Sequence, residues 1–113
     1  MIDKRILELH ARLCTVFTSS KRLEILSLLR EGELSVNELA RRADIRQSNL
    51  SQHLALLRER GMVTTRRAGV TIYYALAHPR LMEAFDIVTE VLLERLDQDE
   101  QFSKAVKDVA RDA

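Results

Sequence analysis

Residues 47–52 carry a run of short hydroxyl and amide side chains that could read the edges of DNA bases. At helical spacing, Leu50, Leu54 and Leu57 form one apolar stripe, and the outward face holds no carboxylate before Glu59. Gln and Asn pair with adenine, Ser bonds donors and acceptors alike, and a carboxylate would be repelled by phosphates. This face therefore predicts DNA contact, through Gln47, Ser48, Asn49, Ser51 and Gln52.

Two residues beside this run are further candidates. Arg46 stands at the expected N-cap, where it cannot satisfy a free backbone N–H and where its charge opposes the helix dipole. A residue that breaks a local rule is a candidate for function, and a long cation there could reach a phosphate or a guanine edge. The alternative is a cap at Gln47 or Ser48, with Arg46 as solvated surface. His53, between the apolar stripe and the outward face, is expected to touch a phosphate or neighbouring backbone.

A second candidate contact lies on a hairpin that follows this helix. After Gly61 the helical spacing gives way to segments rich in Val, Thr, Ile and Tyr, with Ala68-Gly69 between them. Arg66 and Arg67 precede the turn and are expected to contact phosphate or the minor groove. Because side chains alternate along a strand, only one of them would face DNA in full. The predicted strands are Val63–Arg67 and Val70–Leu76.

Other segments supply the helices that must position these residues. Ser19 and Ser20 can cap a second helix, Ser35 and Glu38 fit a capping box for a short third one, and Pro79 suits the start of a fifth. The predicted fold is mainly α with a two-stranded β-hairpin. Its order, four helices, two strands and a helix, is that of a winged helix-turn-helix whose fourth helix enters the major groove. The predicted helices span residues 3–17, 21–30, 36–42, 48–60 and 79–96.

Composition and charge agree with one DNA-binding domain. The 113 residues carry a net charge of +1, but residues 35–76 hold seven Arg against three carboxylates, and residues 78–113 hold five cations against nine carboxylates. A basic middle and an acidic end suggest that the middle meets a polyanion. We expect residues 1–96 to form the DNA-binding and dimerisation domain and residues 97–113 a charged extension.

The same composition bears on compartment and on catalysis. A single cysteine, a charged N-terminus and the lack of a long apolar run favour a cytoplasmic protein with no membrane contact. The sequence has no Gly-rich phosphate loop, no nucleophile beside a base and no metal-ligand cluster, and its histidines fall on three different elements. We therefore expect neither an enzyme nor a cofactor. A winged helix that binds only protein is the competing class, against which the carboxylate-free face and the paired Arg argue.

The chain resembles the ArsR-type winged-helix repressors from about Phe17 to Leu96. The combination of Ser-x-His-Leu at Ser51–Leu54, Leu-x-x-x-Gly and a strand pair is specific where each piece alone is weak. The resemblance implies a homodimeric repressor that binds a palindromic operator in double-stranded DNA and releases it when an effector binds. It is carried by KRLEILSLL, GELSVNELA, QSNLSQHLALLRERGMV and TRRAGVTIYYAL.

The homodimer also has support in the residues themselves. The first and fifth predicted helices have apolar faces too wide for a small core to cover, and they could pack against a second copy. The alternative is that they cover the core of their own chain. The residues assigned to the dimer interface are Ile6, Leu9, Leu13, Leu81, Phe85, Val88 and Leu92.

The effector is not identified by the sequence. Metal-sensing members of the family often carry E-L-C-x-C-D-L, whereas residues 33–39 here read ELSVNEL, with Ser35 and Asn37 at the thiolate positions. A second family site has Asp and His on the last helix, separated by one residue, but here Val88 stands two residues after Asp86, where the His would be. We predict no metal site. Cys14 is either a small buried hydrophobe or a reactive thiol, and the second interpretation makes a redox-responsive repressor an alternative.

Divalent metals and chelators are therefore expected to leave operator affinity nearly unchanged, because no predicted ligand set remains to couple metal binding to DNA release. Titration of labelled operator DNA with and without zinc, cadmium or nickel measures this. A loss of affinity of roughly tenfold with metal, reversed by a chelator, would reveal a site that the sequence conceals.

Overall fold

The structure is a computed structural model that describes residues 2–98 and 104–111 in full, and the helical backbone of residues 100–103 and 112. The chain divides into two compact units, one ending at Pro79 and one beginning at Arg80. Two 3-10 turns, Thr15–Thr18 and Leu29–Glu31, follow the first two helices. The first unit contains α1 (Lys4–Cys14), α2 (Ser20–Leu28), β1 (Leu34–Ser35), α3 (Val36–Ala43), α4 (Gln47–Glu59), β2 (Val63–Ala68) and β3 (Thr71–Leu76), and the second contains α5 (Leu81–Gln98) and α6 (Glu100–Asp112).

The core of the first unit is made of aliphatic side chains from its helices. Leu50, Leu54 and Leu57 are buried along one face of α4, as their spacing predicts. Burying a leucine contributes about 1.5–3 kcal/mol, so this stripe fixes which face of α4 points outward. The largest fully buried side chains are Val16, Ile25, Leu29, Leu39, Leu50, Leu54 and Leu57.

The first helix is shorter than predicted. It ends at Cys14, and the chain then passes through the 3-10 turn into α2, whose N-cap Ser19 accepts a hydrogen bond from the Arg22 backbone N–H at 3.3 Å. The Arg22 guanidinium donates to the carbonyls of Val16 at 2.9 Å and Thr15 at 3.2 Å. These carbonyls thus accept from a side chain of the next helix, six and seven residues along the chain, rather than from a continued helix, and periodicity does not report such a partner.

The turn between α3 and α4 depends on a left-handed residue. Asp44 has φ 50°, and the Ile45 N–H bonds the Ala40 carbonyl at 3.1 Å, which closes the end of α3. The Lys21 ammonium of α2 donates to the Ala43 carbonyl at 2.9 Å. Gly61 ends α4 in the same way, with φ 74°, and this confirms the predicted stop.

The hairpin is part of a three-stranded antiparallel sheet in the order β1-β3-β2. Strands β2 and β3 pair from Val63 opposite Leu76 to Ala68 opposite Thr71, so the turn is Gly69-Val70, one residue beyond the predicted one. Strand β1 was not predicted, because two residues carry no alternation to recognise. It pairs with Tyr73 and Tyr74 on β3. The element order confirms the predicted fold class, a mainly helical winged helix-turn-helix.

The second unit is helical in its described residues from Leu81 onward. Helix α5 begins at Leu81 rather than at Pro79 and runs to Gln98, and α6 follows where a charged extension was predicted. Met82 is buried, whereas Val88 is 65 % exposed. No helix in the described part of the chain is both long and apolar enough to cross a membrane.

The predicted capping box is half formed. The Ser35 hydroxyl accepts from the Glu38 backbone N–H at 3.2 Å, but the Glu38 carboxylate bonds the guanidinium groups of Arg41 and Arg42 instead of the Ser35 N–H. Hydrogen bonds from Arg41 first, and then from Arg42, lower the pKa of Glu38 to about 2.

Glu38→Gln should therefore lower stability at neutral pH and have a smaller effect in acid. A carboxyl whose pKa is depressed by folding stabilises the fold above its unfolded pKa, here 4.5, and loses that contribution as the pH falls towards 2. Denaturant midpoints of the parent and the variant at neutral and acid pH measure the difference. A gap that stays constant across this range would mean that the Glu38 ion pairs do not stabilise the fold.

Candidate nucleic-acid interface

The outward face of α4 is polar, exposed and free of carboxylates until Glu59. The buried leucines of the same helix leave no choice about which side faces solvent. His53 is half-buried at the border of this face. The structure thus brings the predicted contact residues of α4 onto one surface, where Gln47, Ser48, Asn49, Ser51 and Gln52 are all exposed.

The N-cap of α4 is Arg46, with φ −64° and ψ 141°, so the alternative caps at Gln47 and Ser48 are wrong. Its carbonyl accepts from the Leu50 N–H at 2.9 Å, and its side chain makes no cap hydrogen bond. The exposed guanidinium therefore stands at the positive end of the helix dipole without a local folding role.

An amide pair links the two helices of the turn motif. The Gln47 side-chain amide, at the first residue of α4, donates through Nε2 to Oδ1 of Asn37, the second residue of α3. Both side chains are exposed. Sequence reasoning missed Asn37 as a contributor to this surface, because a contact between side chains on two helices has no signal in the spacing of either one.

The two wing arginines, Arg66 and Arg67, differ in their partners. Arg66 pairs with the Glu33 carboxylate, Nη2 lying 2.5 Å from Oε1, and its guanidinium carbon lies 4.6 Å from the centre of the Tyr73 ring. The Arg66 hydrogen bond lowers the pKa of Glu33, and the Glu33 carboxylate raises the pKa of Arg66. Arg67 is exposed, and its Nε bonds the Gly69 carbonyl at the turn. Both arginines are exposed, but the Arg66 charge is paired with Glu33, whereas no ion pair involves Arg67 among the described residues. Arg66 therefore stabilises the hairpin of β2 and β3, which forms the wing, and the Arg67 charge remains available.

His53 lies close to two cations of α2. Burial first, and then the charges of Arg22 and Lys21, lower the pKa of His53 below its usual 6.5. The imidazole is therefore mainly neutral at pH 7, and it can donate one hydrogen bond without adding charge to the surface.

An open groove separates α4 from β3 beside this surface. It is lined by Ser51, Ala55, Arg58, Glu59 and Tyr74. Ser51 belongs to the outward face, and Ala55 and Arg58 continue the same side of the helix by one and two turns. Arg58 thus adds a cation at the edge of the surface.

The remaining candidate chemistry concerns metals and the thiol. Within the part of the chain that the structure describes, no group of three or more His, Cys, Asp or Glu side chains could hold a metal ion. Cys14 is exposed as a free thiol, so its interpretation as a small buried hydrophobe is wrong.

Comparison with known proteins gives consistent matches. A family model described as "Bacterial regulatory protein, arsR family" matches residues 19–65. The chain is 44% identical over 86 residues to a biofilm growth-associated repressor of Agrobacterium fabrum, covering 74% of this chain and 73% of that protein. It is 40% identical over 76 residues to the transcriptional activator HlyU of Vibrio cholerae, covering 67% of this chain and 70% of that protein.

Solved structures agree with these sequence matches. The chain is similar to the homodimeric winged helix-turn-helix DNA-binding domain of Mb0332 from Mycobacterium bovis, with a TM-score of 0.74, 30% identity, and coverage of 88% of this chain and 94% of that one. It is also similar to Rv0081 of M. tuberculosis, with a TM-score of 0.75, 34% identity, and coverage of 82% and 94%.

Arg46→Ser should raise thermal stability and weaken binding to operator DNA. Serine supplies the missing cap, worth about 1 kcal/mol, and removes the cation nearest the start of the outward helix. Thermal unfolding and a DNA titration at physiological salt measure the two effects. Arg46→Lys is the control, because it keeps the charge without the cap and should retain most of the affinity. If the Ser variant binds DNA as tightly as the parent, Arg46 makes no DNA contact.

Proposed function

The chain belongs to the ArsR family of bacterial regulatory proteins, and we propose that it is a homodimeric repressor that binds a palindromic operator and releases it when an effector binds. As a member of this family it is a DNA-binding transcriptional regulator. The exposed face of α4, which is free of carboxylates before Glu59, is the observation that carries the proposal. A helix that must approach phosphates gains from excluding Asp and Glu from the outward residues that meet the DNA, here those before Glu59.

Two sets of residues would contact the DNA, one at the base edges and one at the phosphates. The hydroxyl and amide groups of α4, Gln47 to Gln52, would read base edges in the major groove. Arg46, His53 and Arg67 would contact the phosphate backbone and so set the register of the helix. Arg67 is assigned this role rather than Arg66, because Glu33 and Tyr73 already engage the Arg66 guanidinium.

Dimerisation has support in each unit taken by itself. On α1, Ile6 and Leu9 are 55% and 57% exposed, which is unusual for large apolar side chains on one helix face. On α5, Val88 and Leu92 are exposed, whereas Phe85 is half-buried. A second copy would cover such faces. The α4 helices of the two copies would then lie about 34 Å apart and enter the major groove on successive turns of DNA. The proposed interface comprises Ile6, Leu9, Leu13, Leu81, Phe85, Val88 and Leu92.

The regulatory details complete the proposal. The relatives' names describe regulators, one a repressor and one an activator, and we propose repression and no catalytic role for this chain. A regulator that acts on bacterial chromosomal DNA works in the cytoplasm, and we propose that compartment. Exposure of the Cys14 thiol favours a redox-responsive form of the same repressor as a second candidate. A Cys14→Ser chain that an oxidant still releases from DNA would exclude it.

Binding to duplex DNA should occur as a dimer and should weaken steeply with salt. Sedimentation equilibrium at micromolar concentration should give twice the mass of one chain, and DNA titrations at several salt concentrations give the slope of log affinity against log salt. A monomer that binds one chain per site would contradict the dimer, and retention of protein partners without DNA would favour the protein-binding alternative.

Arg67→Ala should lower that slope by about one and weaken binding to all sequences alike. Arg66→Ala is the matched control, because it removes the same charge from the neighbouring residue and is expected to leave the slope nearly unchanged. If Arg66→Ala lowers the slope and Arg67→Ala does not, the assignment of the two wing arginines is reversed.

A further inference from the structure

We infer that Asn37 is a specificity-determining residue: it holds the Gln47 amide in the orientation that reads adenine, while its own amide nitrogen bonds the adjacent phosphate. The inference rests on the proposed function, since it assigns one base contact to α3 and α4 together. It adds Asn37 to the interface with a role that acts through Gln47.

The geometry leaves complementary groups available at both ends of the pair. Gln47 Nε2 donates to Asn37 Oδ1. In the described part of the chain, neither Gln47 Oε1 nor Asn37 Nδ2 has a hydrogen-bond partner. An amide nitrogen carries two hydrogens, so Gln47 keeps one N–H beside its free carbonyl oxygen. The pair thus presents an acceptor and a donor on α4, and two donors on α3.

Binding of a phosphate to Asn37 would fix which atoms of the Asn37 and Gln47 amides donate and which accept hydrogen bonds. A phosphate oxygen only accepts hydrogen bonds, so it selects the Nδ2 end of Asn37. Asn37 Oδ1 must then face Gln47, and Gln47 Nε2 must donate a hydrogen bond to it. That leaves Gln47 Oε1 to accept from adenine N6 and the second N–H to donate to adenine N7. A lone glutamine would have to order its side chain at the moment of binding, and the pair removes part of that cost.

A purely structural role fits the pair poorly. Both side chains are exposed, so the bond shields no apolar surface. The start of α3 already has its cap in the Ser35 hydroxyl, which bonds the Glu38 N–H. Removing the Asn37 amide should therefore alter recognition of DNA much more than folding.

The test is a double-mutant cycle on base preference. The parent chain first selects its operator from duplexes with randomised centres. Affinities are then measured for the four base pairs at each operator position, with Asn37→Ala, Gln47→Ala and the double variant. Gln47→Ala should flatten an adenine preference of roughly tenfold at one position. Asn37→Ala should reduce the adenine preference at the same position. The double variant should lose no more of this preference than Gln47→Ala alone. Thermal unfolding should show that all variants are folded.

Two further variants sharpen the result. Asn37→Asp keeps an acceptor for Gln47, so the adenine preference should persist while affinity falls equally for all sequences, because a carboxylate now faces phosphate. Asn49→Ala is the matched control, since it removes an exposed amide of α4 that does not bond Asn37, and its effect should add to that of Asn37→Ala.

The outcomes separate the inference from the function on which it rests. If the parent binds duplex DNA and Asn37→Ala leaves the preference at the Gln47 position intact, or if the two substitutions are additive, the inference is overturned and the repressor proposal stands. If the parent selects no duplex, the proposed function fails and the inference fails with it.

Discussion

The inward packing of three leucines on α4 is the constraint on which the rest of the interface depends. Burial of Leu50, Leu54 and Leu57 stabilises one rotation of the helix about its axis, since each contributes about 1.5–3 kcal/mol. An exposed hydrogen bond is worth less, so no polar contact could turn the helix by one position. The polar residues of α4 are therefore held outward by three buried side chains that do not themselves contact DNA. Selection of DNA contacts can then vary without disturbing the core.

The turn between α3 and α4 brings residues of both helices onto the same exposed surface. Asp44 adopts a left-handed conformation at a cost of roughly 1 kcal/mol for a residue other than glycine. The Ile45–Ala40 backbone bond and the Lys21 contact with the Ala43 carbonyl offset that cost. The tight turn brings the start of α4 beside the start of α3, so that Gln47 reaches Asn37. A looser link would leave two separate helices and no shared amide pair.

The wing shows how neighbouring residues of one type acquire different roles. Arg66 and Arg67 have the same charge, but the strand alternation sends them in opposite directions. Arg66 lies against Glu33 and the Tyr73 ring, which ties β2 to the segment before β1 and to β3. Arg67 lies near the turn with its charge available. Net charge counts both arginines equally. Their contacts show that Arg66 stabilises the hairpin and leave Arg67 as the candidate DNA contact.

The sequence by itself determined the first five helices, the hairpin and the outward set on α4, because these follow from the spacing of apolar residues along one element. Gly61 and Ser35 also gave correct boundaries, since caps are local. The bounds of α1, the two-residue strand β1, the partner of Arg66 and the Asn37–Gln47 pair were decided only by the tertiary structure. Each depends on residues brought together from different elements, and Glu33 and Arg66 are separated by 33 positions along the chain. Periodicity reports which face of an element is buried, but it carries no information about which side chains meet across two elements.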